Sequence, residues 1–218
     1  VRVLAVDTTT AQESVAVVRG GTVLAEVRLA GPSVPSRRLV PAVAFLLDSL
    51  GLGPEEVEAY AVTRGPGSFT GLRVGLATVQ GLALASGRPC FQVSALAVLA
   101  HLARGAAERI VAVRPAERGE HFLALHDQEG RPIGAPVVGP LAEYAAGLRG
   151  AAYCGVEEDR RAEVRARDPG ALFPACTLFL AAAVGLLAEG PLTRGEGLAA
   201  ADLRPLYVRD PLVRVPRP

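Results

Sequence analysis

The stretch Thr63-Arg64-Gly65-Pro66-Gly67-Ser68-Phe69-Thr70-Gly71-Leu72-Arg73-Val74-Gly75 sets four glycines and a proline between two apolar runs. Proline fixes one φ angle and glycine tolerates a positive one, so Gly65-Pro66-Gly67 specifies a tight turn leaving a strand and entering a helix. Ser68 or Thr70 suits the cap of that helix. Free N–H groups at such a start can hold an anion. The chain has no lysine, its cationic side chains being 23 arginines, so a Walker loop, a Schiff base and a lysine general base are excluded. The glycine spacing is not G-x-G-x-x-G, and Ser68 has Pro66 and Thr70 where a nucleophile elbow requires glycine. A packing turn and a loop touching a ligand or partner stay open, with Arg64, Gly65, Gly67, Ser68 and Thr70 at stake.

The helix after the loop is apolar nearly all round: between Leu72 and Ala85 only Arg73 and Gln80 are strongly polar. Such a helix is covered on more than one side. Gly71, Gly75, Thr78 and Ala85 form a stripe of small residues, which permits close approach of a second backbone. The expected pairing surface is Gly71, Leu72, Gly75, Leu76, Thr78, Val79 and Leu82, with Arg37, Leu39, Val43, Leu46 and Leu47 of the preceding helix. Gly75→Arg is then expected to block pairing and spare the fold. Burial within the chain's own domain is the alternative.

Strand and helix periods alternate along the whole chain. Val1 to Asp7, Ser14 to Val18 and Thr22 to Leu29 read as three antiparallel strands joined at TTTAQE and Gly20-Gly21. A helix from Ser36 to Leu50 contains Pro41, which should confine or bend its first turn. Then come a strand at Glu58 to Val62, the glycine loop, a helix at Thr70 to Ala85, a strand at Cys90 to Val93 and a helix at Ser94 to Ala103. Strands follow at Arg109 to Arg114, His121 to His126 and Ile133 to Val138, a helix at Leu141 to Leu148 and a strand at Ala151 to Gly155. Helices at Glu157 to Arg167 and Cys176 to Ala188 close the series. Strands then helices, twice over, predict two mixed α/β domains, residues 1–103 and 104–218.

The 23 basic and 22 acidic residues create no global field toward nucleic acid or membrane. Cys90, Cys154 and Cys176 form no C-x-x-C pair and sit among apolar neighbours, the pattern of buried free thiols in a reducing cytosol. The opening residues do not resemble an export signal, and no apolar run is long enough to span a bilayer. His121 and His126 fall on opposite strand faces and make no metal pair. Asp7 with Thr8, Thr9 and Thr10 suits either a metal–phosphate ligand or turn capping. The Glu157 to Arg167 segment alternates charge like a solvated face, while Arg204, Arg209, Arg214 and Arg217 form a local basic excess able to meet phosphate.

Strand-Asp7-Thr8-Thr9-Thr10, Ser36-Arg37-Arg38-Leu39 opening a helix, and above all Arg64 to Arg73 followed by Gln80-Gly81-Leu82-Ala83 resemble the TsaB (YeaZ) family of tRNA threonylcarbamoyladenosine biosynthesis proteins. Pro205-Leu206-Tyr207-Val208-Arg209 resembles the family's C-terminal P-x-Y-[LV]-R. The chain departs from the family pattern at Pro35, which often is histidine, and at Pro115-Ala116-Glu117, which often is D-A-R. The resemblance implies the two-domain actin-like/Hsp70-like ATPase (ASKHA) fold, with ribonuclease H-like βββαβα halves. It further implies a degenerate nucleotide site, because Thr9 stands where catalytic relatives have glycine and a side chain there hinders backbone approach to phosphate. No catalytic residue, metal or cofactor is then expected. The implied role is a cytoplasmic scaffold that activates a catalytic paralogue, TsaD, with an ATPase, TsaE, tRNA being reached through the complex and a homodimer forming when the chain is alone. An active ATPase or small-molecule kinase of the same fold, and a tRNA-binding module using the C-terminal arginines, are the rivals.

Overall fold

The computed structural model describes residues 1–31 and 35–208. Its first sheet contains β1 (Val3–Asp7), β2 (Glu13–Arg19), β3 (Thr22–Leu29), β4 (Ala59–Thr63) and β5 (Cys90–Val93), in spatial order β3-β2-β1-β4-β5. The first three strands are antiparallel neighbours; β4 and β5 join in parallel, Val6 pairing with Val62 and Tyr60 with Cys90. Strands β1 and β4 are buried along their entire length, which accounts for their continuous apolar sequence. The second sheet holds β6 (Arg109–Pro115), β7 (His121–Asp127), β8 (Val137–Gly139) and β9 (Ala152–Cys154), ordered β8-β7-β6-β9.

The helices are α1 (Pro35–Ser49), α2 (Phe69–Ser86), α3 (Ala95–Leu102), α4 (Leu141–Ala145), α5 (Arg161–Arg167) and α6 (Ala181–Thr193). Alternation along the strands separates three cores. Leu4, Val6, Val15, Val17 and Tyr60 meet α1 and α2 on the outer face of the first sheet. Val3, Ala5, Val18, Ala59 and Ala61 face Ile110, Ala112 and Ala124 of the second sheet across a layer made by α3 and α6. Val111, Val113 and Tyr153 meet α4 and α5 beyond the second sheet. Helix α3 follows the first sheet in sequence but packs on the second, and α6 follows the second but packs on the first. Gly185 makes the latter contact close: a Cβ there would lie 2.8 Å from Val18 Cγ2. Glu189 fixes its far end by accepting the N–H groups of Gly20 and Gly21 at the β2–β3 turn.

Several elements differ from expectation. The strand expected at Ile133 to Val138 shrinks to β8, because Pro132 and Pro136 have no N–H for a ladder. The helix expected from Cys176 starts only at Ala181: Thr177 Oγ1 accepts the Phe179 N–H at 3.1 Å and holds a local turn in competition with helix. It also runs past Ala188 to Thr193, since Pro191 lies in the last turn and removes a single intrahelical bond. The Glu157 to Arg167 segment divides into a 3-10 turn, Glu158–Arg160, and α5. Only Cys90 is a free thiol; Cys154 and Cys176 are joined in a disulfide, where the sequence suggested two further free thiols. Their Cα atoms lie 6.3 Å apart because β9 and the segment before α6 run side by side, a proximity that a separation of 22 residues does not reveal.

Candidate functional site: a closed glycine loop and an open helix face

Strand β1 ends at Asp7 and the chain turns through Thr8, Thr9 and Thr10 into β2. Asp7 Oδ1 accepts the Thr9 hydroxyl at 2.7 Å, the Thr9 N–H at 3.3 Å and the Thr63 hydroxyl. Thr10 stays within the turn, its hydroxyl accepting the Gln12 N–H at 3.2 Å. The glycine loop folds directly onto this turn. Gly67 lies so close that a Cβ would fall 2.3 Å from the Thr9 carbonyl oxygen. The same test at Gly71 gives 2.0 Å to the Thr8 carbonyl, and at Gly75 2.3 Å to Thr8 Oγ1. Three glycines thus let the start of α2 press on the β1–β2 turn, and Thr8 Oγ1 closes the contact by donating to the Gly71 carbonyl at 2.7 Å.

Three of the loop's N–H groups, those of Arg64, Ser68 and Gly71, bond inside the chain. Ser68 N–H donates to Thr9 O at 2.7 Å, and the Gly71 N–H reaches Ser68 Oγ at 3.2 Å, so Ser68 rather than Thr70 is the cap. Arg64 N–H bonds Val93 O, and the Arg64 carbonyl accepts Leu206 N–H at 2.6 Å. Gly65 takes φ +102°, a left-handed conformation suited to glycine, and its carbonyl accepts Ala95 N–H. The Pro205-Leu206-Tyr207-Val208 segment, marked in the sequence only as a motif, is therefore a strap over the glycine loop. Tyr207 lies 6.0 Å from Phe69, over which Arg73 stacks at 3.8 Å. Behind them is a cavity of about 260 Å³ lined by Gly67, Ser68, Phe69, Leu72, Phe122, Tyr207 and the Pro115-Ala116-Glu117 turn. Arg204 bonds Gln92 and backbone carbonyls; Arg209, Arg214 and Arg217 lie outside the described residues.

The pairing surface expected on α1 and α2 needs correction. Leu39, Val43, Leu46, Leu47, Leu72, Leu76 and Val79 are all core residues facing the first sheet, and Gly71 and Gly75 face Thr8. An apolar helix docks its larger side chains on its own sheet first, and this leaves those positions no outward surface. Gly75→Arg consequently strikes the chain's own fold. Among the exposed residues of α1 and α2 are Arg37, Val40, Ala44 and Phe45 on one helix and Ala77, Gly81, Leu84 and Ala85 on the other, with Thr78 and Leu82 half-buried. Phe45, Leu84 and Val40 are 65%, 69% and 54% exposed, large values for apolar side chains. Gly81 sits in mid-helix with nothing within 4 Å of a would-be Cβ, so nothing in its own chain requires glycine there.

Two buried charges near the turn escaped the sequence reading. Glu13, 3% exposed, has its carboxyl pushed up by burial, against the opposing influence of Arg38 and with support from Asp7. Arg114, 2% exposed at the end of β6, has its guanidinium pushed down by burial, against the carboxylates of Asp7 and Glu157. The signal for Arg114 was an arginine inside the apolar run Arg109 to Pro115. Among the described residues no group of three or more His, Cys, Asp or Glu is arranged to hold a metal, and no helix is long and apolar enough to cross a membrane.

Residues 35–161 match the family described as TsaD, tRNA N6-adenosine threonylcarbamoyltransferase. The structure superposes on YeaZ from Pseudomonas aeruginosa with a TM-score of 0.79 and 34% identity, covering 94% of this chain and 99% of that one. The chain belongs to the TsaB (YeaZ) family. The tRNA threonylcarbamoyladenosine biosynthesis protein TsaB of Escherichia coli is 38% identical over 134 residues, which are 61% of this chain and 58% of that protein. For Bacillus subtilis TsaB the figures are 33% over 124 residues, 57% and 54%. The chain thus spans little more than half the length of these curated relatives. A dehydratase activator from Clostridium difficile with bound ADPNP, 10% identical at a TM-score of 0.50 over 95% of this chain, shares the fold alone. The fold is that of the actin-like ATPases.

Proposed function

We propose that this TsaB-family chain is a non-catalytic scaffold for threonylcarbamoylation of tRNA adenosine. The observation that carries the reading is the glycine loop pressed onto Thr8 and Thr9 through Gly67, Gly71 and Gly75, which sets the chain's own turn, rather than space for a ligand, against the start of α2. With the loop packed on its own turn, the chain's contribution in this reading is made through a partner. Support for where it does so comes from Gly81: an exposed glycine in a helix interior costs about 0.5–1 kcal/mol relative to alanine, and close approach of another backbone would offset that cost. The outward faces of α1 and α2 therefore pair with a TsaD-like catalytic paralogue, or with a second copy of the chain when it is alone, and a TsaE-like ATPase joins the pair in the cytoplasm. Domains 1–103 and 104–218 act as one body in this role. Activation is a population shift, requiring tighter binding to the paralogue's competent conformation than to its other states.

The test is threonylcarbamoylation of tRNA in a mixture of the adenylate-forming enzyme, the paralogue and the ATPase. The expected result is loss of product when the chain is omitted or carries Phe45→Glu. Equal product without the chain would overturn the scaffold reading, and stoichiometric ATP binding by the chain alone would replace it with a kinase or ATPase.

A further inference from the structure

Arg114 lies where the two sheets face each other. Alternate residues of a strand share a face, so Arg114 continues the row of Ile110 and Ala112 that enters the layer between the sheets. Asp7 and Thr63 continue the rows of Val3 and Ala5 and of Ala59 and Ala61 into the same layer from the other side. Both charged groups are shut off from water, Arg114 being 2% and Asp7 0% exposed. Each is incompletely satisfied: Asp7 Oδ2, Arg114 Nε and Arg114 Nη2 find no hydrogen-bond partner among the described residues. Nε and Nη2 form the edge of a guanidinium that takes a carboxylate side-on, and Asp7 Oδ1 is already occupied by Thr9 and Thr63, which leaves Oδ2 as the free acceptor. Beyond β9, Glu157 supplies a second carboxylate, 3.6 Å from His121 Nε2 and itself 42% exposed. The local charges are thus the buried cation of Arg114, the buried carboxylate of Asp7 and the half-exposed one of Glu157, with buried Glu13 on the other side of Asp7. A charge buried without its opposite is strongly unfavourable, so each of Asp7 and Arg114 offsets part of the other's burial.

We propose that Arg114 is the resident counter-ion of the space between the sheets, coupling Asp7 of the first sheet to the second sheet and to Glu157, so that the closed arrangement of the two sheets depends on a charge carried by the chain itself. The unsatisfied atoms of the two groups make no hydrogen bond to one another, so the coupling acts through space across the layer between the sheets. The inference is independent of the scaffold reading, since it concerns the isolated chain.

The test is a double-mutant cycle on the full chain, followed by thermal unfolding. Arg114→Leu strands the Asp7 charge and is expected to lower Tm by roughly 10 °C. Asp7→Asn keeps the oxygen that Thr9 and Thr63 use and strands Arg114, with a loss of the same order. The double variant is expected to recover at least half of the Arg114→Leu loss, and Glu157→Gln, at a half-exposed site, to cost much less than either. If Arg114→Leu alone fails to fold, soluble folded double variant supports the coupling equally well. Additive losses in the double variant, or an Arg114→Leu protein as stable as the parent, would overturn the proposal.

Discussion

The two faces of α2 are composed of the same kinds of residue and do opposite things. Inward, Gly71 and Gly75 bring the helix onto the β1–β2 turn, and Leu72, Leu76, Val79 and Ala83 fill the core above the first sheet. Outward, Ala77, Gly81 and Leu84 of α2 are exposed, as is Phe45 of α1. A small residue permits close approach of whatever lies opposite, and composition does not say whether that is the chain's own backbone or another molecule's. The distinction comes from the neighbours. A glycine whose Cβ would collide is explained within the chain, and a glycine whose Cβ would meet open space is not.

The largest effect should come from the inner face. Gly75→Arg puts a long side chain where even a Cβ would lie 2.3 Å from Thr8 Oγ1, and should cost about 3 kcal/mol or more, seen as a lost or much lowered unfolding transition. A variant that unfolds like the parent and fails only to pair would abolish the distinction between the faces. Phe45→Glu, on the outer face, should weaken self-association on gel filtration by tenfold or more, about 1.4 kcal/mol or above. Its Tm should stay within a few degrees of the parent, because Phe45 is 65% exposed. A smaller effect sharpens the comparison: Gly81→Ala should stabilise the isolated chain by about 0.5–1 kcal/mol in denaturant titration while reducing pairing. No gain in stability would mean that Gly81 has a constraint inside the chain after all.

The smallest effect tests the charge beneath α1. The raised Glu13 carboxyl favours its protonated form when folded, so its contribution is most favourable below the unfolded carboxylate range near pH 4 and is lost as pH rises through the folded value. Glu13→Gln should therefore have a higher Tm than the parent at pH 7.5, and the gap should close toward pH 4. A gap independent of pH would show that the substitution acts through packing.

Most of the framework was legible because β and helical periods differ. Strands Thr22–Leu29 and Cys90–Val93 have the expected limits, and α1 and α2 fall within one residue of theirs. The orientation of α2 was not legible, since an apolar stripe on every side carries no direction. Residue Asp7 was readable as a turn acid, but its relation to Arg114 depends on sheets more than 100 residues apart in sequence folding face to face. The late start of α6 turned on a threonine hydroxyl competing with the helix, a local choice of about the energy of one hydrogen bond. Pairing of Cys154 with Cys176 required knowing that β9 lies beside the segment before α6.

The crossed helices bear on how the chain is made. The inner face of the first sheet is complete in sequence at Val93, but α6, which covers it, begins at Ala181. At ribosomal rates of about 5–20 residues per second, Val3, Ala5 and Val18 wait on the order of ten seconds for their cover. During that interval the nascent amino-terminal half offers an apolar sheet to any passing chain. Folding of the first sheet is thereby tied to the completion of synthesis, and a ribosome that stalls before α6 releases a product suited to chaperone capture or aggregation rather than a smaller working unit.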